Sequence, residues 1–227
     1  KTDITGSKEI PGCEMQLVDK NGTVIDQWIS GEGPHIITAK LLADETYRLI
    51  ETNPAPGYAY AKDVTFTVNH DGTVNKVEMK DDITKVEILK VNAETGRPLA
   101  GAVFEIWDHA GNVIDKWVST ETAHKVYGTL NAGETYILHE VSAPSGYKKM
   151  EDVEFKVNDY ADVLTIIADN RKNGGGGNSS DYTIRIKKVD TDGNAVPGAA
   201  FKVTDGSGNV LSGVREENGT VFKFHVK

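Results

Sequence analysis

The heptapeptide VIDQWIS at residues 24–30 returns as VIDKWVS at residues 113–119, an offset of 89 positions. The same offset, without a gap, carries Gly12 to Gly101. A match held at one fixed spacing is the sequence signature of a tandem repeat, in which each copy forms its own structural unit. The repeat therefore predicts at least two copies of one small fold along the 227 residues.

The repeat also sets the expected domain boundaries. We expect a first module at residues 1–82 and a second at residues 83–170. Residues 171–181, RKNGGGGNSSD, are typical of a flexible linker rich in glycine and serine. A third copy opens with YTIRIKKVD and stops about halfway through a module, so residues 182–227 are expected to be the first half of a third, truncated module.

The strand pattern within each module predicts an all-β fold. Runs such as TYRLIE (46–51) and TYILHE (135–140) alternate in the way that strands with one buried face do. Asn-Gly, Asp-Gly and Pro-Gly pairs separate these runs, and no segment keeps a helical period over about 12 residues. Strands at this spacing indicate a small β-sandwich in each module.

The composition argues against several functional classes. The chain has 25 Lys and Arg against 34 Asp and Glu, a net charge of −9, so neither nucleic acid nor an anionic membrane is expected as a partner. No apolar run approaches the ~20 residues of a membrane-spanning helix, and residues 1–30 lack a signal-peptide pattern, so no membrane insertion is expected. Cys13 is the single cysteine, which excludes an internal disulfide and a cysteine-based zinc cluster.

Polar side chains stand on apolar strand faces in both modules. Because side chains alternate across a strand, residues two positions apart share a face. In VEILK the face that carries Val86 and Ile88 also carries Lys90. The same parity points four further polar side chains inward, together with Lys1 if the repeat holds: Glu51, Asp81, Glu140 and Asn170.

These buried polar groups have two explanations. Burying a lone ammonium or carboxylate costs several kcal/mol, so the groups must compensate one another. One arrangement is a buried Lys–Glu ion pair whose hydrogen bonds are completed by the Asp or Asn. In the other, the lysine amine condenses with the side-chain carbonyl carbon of the Asp or Asn to give a neutral amide. A dry interior favours this reaction, because it favours a neutral, nucleophilic amine and a protonated glutamate that carries the proton. The alternation of side chains along the strands does not by itself distinguish the ion pair from the amide.

Two longer strings resemble the motif of a known family. YRLIETNPAPGY (47–58) and YILHEVSAPSGY (136–147) resemble the motif Tyr-x-Leu-x-Glu-x-x-Ala-Pro-x-Gly-Tyr of the SpaA/CnaB-like modules in pilins and adhesin stalks of Gram-positive surface proteins. The openings KTDITG, KVNAETG and KVDTDG resemble the first strand and turn of the same modules. The first copy departs slightly from the motif, because Asn53-Pro54 stand before its Ala55-Pro56 pair. The resemblance implies a prealbumin-like, reverse-Ig-like sandwich for each module.

The resemblance also implies a chemistry. In this family a lysine of the first strand forms an intramolecular isopeptide bond with an Asn or Asp of the last strand, assisted by the glutamate. Carried over position by position, this gives two triads, Lys1, Glu51 and Asp81, and Lys90, Glu140 and Asn170, in which the glutamates are the catalytic residues. Lys188 is the corresponding lysine of the third copy and has no partner there. Lys1 is the weaker case, because the strand that should hold it is missing.

Two functional classes follow from the resemblance. The first is a structural stalk or spacer fragment of a bacterial cell-surface or pilin protein, located outside the cell and adjoining neighbouring modules of the same parent chain. It would need no cofactor and no metal, and it would crosslink itself once without enzymatic turnover. The alternative is an adhesin that recognises a host protein or glycan through loops or an exposed face of Trp28 or Trp117. The gap-free repeat favours the spacer, because binding loops usually diverge in length.

The remaining reactive side chains are predicted to be ordinary structural residues. The six histidines have no metal-ligand spacing and are expected at scattered surface positions. Cys13 is expected to be a small buried residue rather than a reactive thiol.

Overall fold

The computed structural model describes residues 1–173 and, beyond them, the backbone of three strands at 182–187, 215–217 and 221–226. Every regular element in these residues is a β-strand, which confirms the all-β prediction. Accordingly, this part of the chain contains no helix that is long and apolar enough to cross a bilayer.

The first repeat forms one four-stranded sheet and one short parallel pair. Its strands are β1 (Thr2–Asp3), β2 (Glu14–Val18), β3 (Val24–Ile29), β4 (Thr46–Asn53), β5 (Val64–Thr67) and β6 (Lys80–Asp81). Strands β2 to β5 form an antiparallel sheet in the order β3-β2-β4-β5, in which Met15 lies opposite Glu51. Strand β1 pairs in parallel with β6, with Thr2 opposite Lys80. The first and last strands of the repeat are therefore side by side.

The second repeat forms two sheets. Its strands are β7 (Lys85–Asn92), β8 (Val103–Trp107), β9 (Val113–Val118), β10 (His124–Tyr127), β11 (Thr135–Ser142), β12 (Val153–Lys156) and β13 (Leu164–Asn170). The strand orders are β12-β11-β8-β9 and β10-β7-β13, so the first and last strands of this repeat are again neighbours. In the first sheet Glu140 of β11 lies opposite Phe104 of β8.

The third copy contributes a three-stranded antiparallel sheet. It consists of β14 (Tyr182–Lys187), β15 (Arg215–Glu217) and β16 (Val221–Val226) in the order β14-β16-β15. The strand β14 coincides with the YTIRIK run that opens the copy. Lys188 and the linker residues 174–181 lie outside the described residues.

Both complete repeats bury one apolar face of their central strands, which are β2 and β4 in the first repeat and β7, β8 and β11 in the second. The first core contains Ile10, Cys13, Met15, Leu49, Ala55 and Met79. In the second repeat the most buried apolar side chains include Val86, Phe104, Ile106 and Leu138, all fully inaccessible to solvent. Strand β4 alternates between buried and exposed positions up to the buried Glu51, and β11 alternates in the same way up to the buried Glu140. The period that fills the core therefore also carries a carboxylate into it.

A glycine turn follows each of these glutamate strands. Gly57 has a φ of 81° and Gly146 a φ of 85°, in the left-handed region that side chains rarely adopt. After the turn the chain runs back along the end of its own repeat, through the bridges Tyr58 to Ile83 and Tyr147 to Lys172. The turn thereby brings the next few residues to the place where the polar side chains meet.

By compactness the described chain forms two units. The first comprises Lys1–Val86, Lys125–Tyr136 and Glu154–Leu164. The second comprises Glu87–His124, Ile137–Val153 and the described residues from Thr165 onward. The predicted triad of the first repeat lies wholly in the first unit, and the triad of the second repeat lies wholly in the second.

Candidate functional site

The predicted triad of the second repeat forms a buried polar cluster. Lys90 comes from β7, Glu140 from β11 and Asn170 from β13. Their residues are 2%, 0% and 2% exposed, and Lys90 is the largest fully buried side chain of the described residues. The inward parity of these three strands is therefore confirmed.

The two oxygens of Glu140 face two different partners. Oε1 lies 3.4 Å from Lys90 Nζ. Oε2 accepts a hydrogen bond of 2.8 Å from Asn170 Nδ2. One carboxylate thus contacts both the amine and the amide of the predicted crosslink.

The segment after the glycine turn completes this cluster. The backbone N–H of Met150 donates to Glu140 Oε2 at 2.6 Å, and the backbone carbonyl of Lys148 accepts from Asn170 Nδ2 at 2.5 Å. Met150 Sδ lies 3.6 Å from Lys90 Nζ. Residues 148–150 therefore contact every member of the triad, a role that strand patterning did not predict.

The electrostatics of this cluster favour a neutral lysine. Burial lowers the pKa of Lys90 from its ordinary value, and the negative charge of Glu140 opposes this only in part. The Phe104 ring, whose centre lies 5.3 Å from the lysine amine, acts in the other direction, because a ring face attracts a cation. Within this cluster, Asn170 Oδ1 and Glu140 Oε1 are buried without a hydrogen-bond partner, since the Lys90 contact lacks hydrogen-bond geometry. Buried polar atoms of this kind are costly and need a reason.

The first repeat holds an equivalent cluster around Lys1. Lys1 Nζ lies 2.9 Å from Glu51 Oε1 and donates a hydrogen bond to Asp81 Oδ1. All three side chains are at most 3% exposed. The backbone carbonyl of Lys1 accepts from the N–H of Ile10, so the residue is held in place although β1 begins only at Thr2.

The two clusters share the support of their glutamates. Ala61 N–H donates to Glu51 Oε2 at 2.8 Å, as Met150 N–H does to Glu140, and both donors lie ten positions after their glutamate. In the first cluster, burial raises the pKa of Asp81 to about 7, although the Lys1 hydrogen bond opposes this. Burial therefore favours the protonated form of Asp81 more than solvent does for an exposed aspartate.

Both complete repeats match one known domain family. The family model of the SpaA prealbumin-like fold domain matches residues 1–83 and again residues 84–172. The chain belongs to this family. Both complete repeats are SpaA domains, which confirms the resemblance found in the sequence, and the tandem sandwich architecture is the one predicted.

Several solved structures are similar to the chain. The TIE protein of Bacillus anthracis is 19% identical with a TM-score of 0.41, and the match covers 99% of this chain but only 42% of that one. The shaft pilin spaA of Lactobacillus rhamnosus GG is 17% identical with a TM-score of 0.36, covering 76% and 92%. A minor pilin of Streptococcus agalactiae is 16% identical with a TM-score of 0.36, covering 76% and 88%. None of the curated protein sequences matches the chain.

Cys13 belongs to the cluster of the first SpaA domain, which its sequence context did not reveal. It is fully buried, as predicted, and its Sγ lies 3.8 Å from Asp81 Oδ2. Burial raises the pKa of its thiol to about 11, so the thiol keeps its proton at neutral pH. The pairing of β2 with β4 indicates this position, because Met15, two residues later on the same face as Cys13, lies opposite Glu51.

A metal ion has one candidate site in the described residues. Donor atoms of Cys13, Glu51 and Asp81 all lie within 4.8 Å of one another. Lys1 Nζ already contacts both carboxylates of this group. Oxygen atoms that a metal ion would need are therefore already engaged by the lysine amine.

All three tryptophans stack on neighbouring rings, and Trp107 does so on His139. The Trp117 ring stacks on Phe104 at 5.3 Å and on His124 at 4.2 Å between centroids. At the equivalent position, Trp28 stacks on His35 at 4.2 Å. Two of the six histidines thus occupy equivalent structural positions, and each also contacts an aspartate of its own repeat, Asp26 or Asp115. On the stacked face of each indole, a sugar ring would have to displace these partners.

Proposed function

We propose that the two SpaA domains crosslink themselves through isopeptide bonds, Lys1 to Asp81 and Lys90 to Asn170. Glu51 and Glu140 are the proposed proton carriers. The observation that carries this proposal is the shared carboxylate in each domain, which contacts the amine on one oxygen and, in the second domain, the departing amide nitrogen on the other. A group that receives a proton from the nucleophile and delivers it to the leaving group needs this arrangement.

In the second domain the reaction is an amide exchange. The neutral Lys90 amine attacks Asn170 Cγ, so that the Nζ–Cγ bond forms and the Cγ–Nδ2 bond breaks. Glu140 takes a proton from Nζ through Oε1, and Nδ2 receives one on the side of Oε2, so ammonia leaves. The lowered pKa of Lys90 supports this step, because only the unprotonated amine is a nucleophile.

In the first domain the same attack expels water. The Lys1 amine attacks Cγ of protonated Asp81, the Nζ–Cγ bond forms, and the hydroxyl oxygen leaves with one proton from Nζ carried by Glu51. The pKa of Asp81 near 7 supports this step, because a carboxylate anion is a poor electrophile. No cofactor takes part, and each site reacts once.

The crosslink also removes the cost of the buried charges. An ion pair in a dry interior keeps its desolvation penalty, whereas the amide product is neutral. Among the described residues, Asn170 Oδ1 has no donor in the unreacted arrangement. A stable ion pair between Lys90 and Glu140 gives that oxygen no role. In the proposed reaction it is the oxygen of the carbonyl group whose carbon the amine attacks.

A bond between the first and last strands gives each domain a mechanical role. Closing nearly the whole domain stabilises it by roughly 4–5 kcal/mol through the unfolded state, by analogy with a disulfide. Tension that enters at β7 leaves at β13 through a covalent link, because these strands are sheet neighbours at the two ends of the domain. The strands between them carry no load. This suits a stalk or spacer in a bacterial surface protein or pilus, where it would adjoin further modules of its parent chain.

The adhesin alternative gains no support from the tryptophans. Glycan recognition by an exposed indole needs a free ring face, and the Trp117 ring already stacks on Phe104 and on His124. We therefore propose the spacer role for this chain.

Intact mass spectrometry under denaturing conditions tests the proposal. The full chain should be lighter than its sequence mass by one water and one ammonia, with the losses mapped to crosslinked peptides that contain Lys1 with Asp81 and Lys90 with Asn170. Glu140→Ala should restore the ammonia while leaving the loss of water, so that the first domain serves as a control within the same molecule. A wild-type chain of full mass would refute the proposal.

A further inference from the structure

The two clusters differ at the atom that leaves. In the second domain this atom is Asn170 Nδ2, a hydrogen-bond donor, and two acceptors hold it: Glu140 Oε2 at 2.8 Å and the Lys148 carbonyl at 2.5 Å. In the first domain Lys1 binds Asp81 Oδ1, so the leaving atom is Oδ2. The thiol of Cys13 lies 3.8 Å from Oδ2.

The thiol is available as a donor to Asp81. Its other acceptor is the Ile10 carbonyl at 4.0 Å, but that carbonyl already accepts a hydrogen bond of 2.6 Å from the Ser30 hydroxyl. The backbone N–H of Cys13 is likewise used, because it donates to Ser30 Oγ. Asp81 Oδ2, at 3.8 Å, is the nearer of these two acceptors, and the thiol stays protonated because burial raises its pKa to about 11.

The second domain supplies a matched comparison. Ala102 occupies the position of Cys13, and its N–H donates to Ser119 Oγ, which in turn donates to the Leu99 carbonyl. The backbone support at this position is therefore the same in both domains. The two domains differ here in the thiol. The domain that has the thiol also has the carboxylic acid of Asp81 in place of the amide of Asn170.

We propose that Cys13 is a specificity-determining residue that adapts the first domain to a carboxylic acid, by donating a hydrogen bond from its thiol to the departing oxygen of Asp81. The second domain, with a methyl group at this position, relies on acceptors that hold the departing NH₂ group of Asn170. This inference rests on the proposed crosslinking reaction. The thiol keeps its proton throughout, because the proton that leaves with water comes from Lys1 Nζ through Glu51.

The test compares Cys13→Ala with Cys13→Ser. Full-length chains recovered unreacted in denaturant are refolded by dilution, quenched with acid at intervals, and weighed intact. Cys13→Ala keeps the backbone contacts and adopts the residue of the second domain, and it should slow the loss of water by roughly tenfold, the kinetic equivalent of one hydrogen bond. Cys13→Ser retains a donor and should react within about threefold of the wild-type rate, well short of that loss. The loss of ammonia from the second domain should stay unchanged in both.

A second background separates chemistry from packing. In the Asp81→Asn background, Cys13→Ala should not slow the reaction, because the departing NH₂ group is a donor and gains nothing from a thiol. Equal slowing in both backgrounds, a wild-type rate for Cys13→Ala, or Cys13→Ser as slow as Cys13→Ala would each overturn the role of Cys13. These outcomes differ from failure of the proposed function, in which the wild-type chain loses neither water nor ammonia.

Discussion

Lys90 Nζ lies 3.4 Å from Glu140 Oε1, and both side chains are at most 1% exposed. Such a pair is costly to bury as two charges and inexpensive to bury once the lysine has become an amide. The burial that penalises the ammonium also prepares the amine to react. The buried Lys90 amine is therefore destabilising before the proposed crosslink and stabilising after it.

The two domains should differ in the pH dependence of crosslinking. In the first domain the reactive pair is a neutral amine and a protonated carboxyl, which together hold as many protons as the ion pair. Its population should rise with pH through the Asp81 pKa near 7, level off, and fall once the pair loses another proton. In the second domain the amide needs no proton, so the rate should rise through the lowered pKa of Lys90 and remain high.

Timed refolding at a series of pH values, read by intact mass, checks both profiles in one sample. A shared profile for water loss and ammonia loss would contradict the assignment of Asp81 and Lys90 as the groups that control the two rates.

Loss of the second crosslink should destabilise its domain. Asn170→Ala removes the acyl group and leaves Lys90 as a buried amine, so the free energy of unfolding should fall by at least roughly 4 kcal/mol. Urea denaturation of the full chain measures this as a separate transition for the second domain. Asn173→Ala, three positions beyond the strand and exposed, is the matched control and should change little. Equal stabilities for the two variants would count against a crosslink at Asn170.

The two equivalent glycines should respond unequally to alanine. Gly57→Ala and Gly146→Ala both put a side chain at positive φ, which costs about 1–2 kcal/mol. At Gly57 the new Cβ would also collide with the backbone carbonyl of Gly128, whereas at Gly146 it meets nothing within 4 Å. Gly57→Ala should therefore cost a further 1–3 kcal/mol or so in thermal or urea denaturation. An equal loss of stability in both variants would contradict the predicted collision at Gly57.

Stretching single molecules should separate crosslinked from uncrosslinked domains. Pulled through its termini, the wild-type chain should show no extension from either complete domain. Glu140→Ala should add one event in which the roughly 80 residues of the second domain lengthen by roughly 250–300 Å. The first domain of the same variant should still not extend. An extension event from the second domain of the wild-type chain would exclude a covalent link between β7 and β13.

The sequence predicted the features that follow from strand periodicity. Side chains alternate strictly, so the inward direction of Lys90, Glu51 and Glu140 followed from their distance to apolar neighbours, and all three are buried. The strands around the glutamates also lie where the alternating runs indicated, at Thr46–Asn53 and Thr135–Ser142.

Two parts of the site escaped prediction for physical reasons. The contacts of Lys148 and Met150 with the triad are made by a carbonyl and an N–H, which every residue possesses, so no side-chain pattern reveals them. Cys13 was correctly expected to be buried, but its contact with Asp81 joins residues 68 positions apart. Cys13 precedes β2 and Asp81 lies in β6, so the contact joins two different sheets, which strand periodicity does not predict.

The exchange of Asp81 for Asn170 between otherwise matching domains has a practical consequence. If each domain forms its crosslink only after it has folded, the lost mass permanently marks that domain as folded. The two domains lose different molecules, water and ammonia, so the two marks can be told apart. A nascent or refolding chain sampled at any moment would report which domain matured first, without dyes, labels or engineered reporters. The molecule would thus keep an internal record of its own order of assembly.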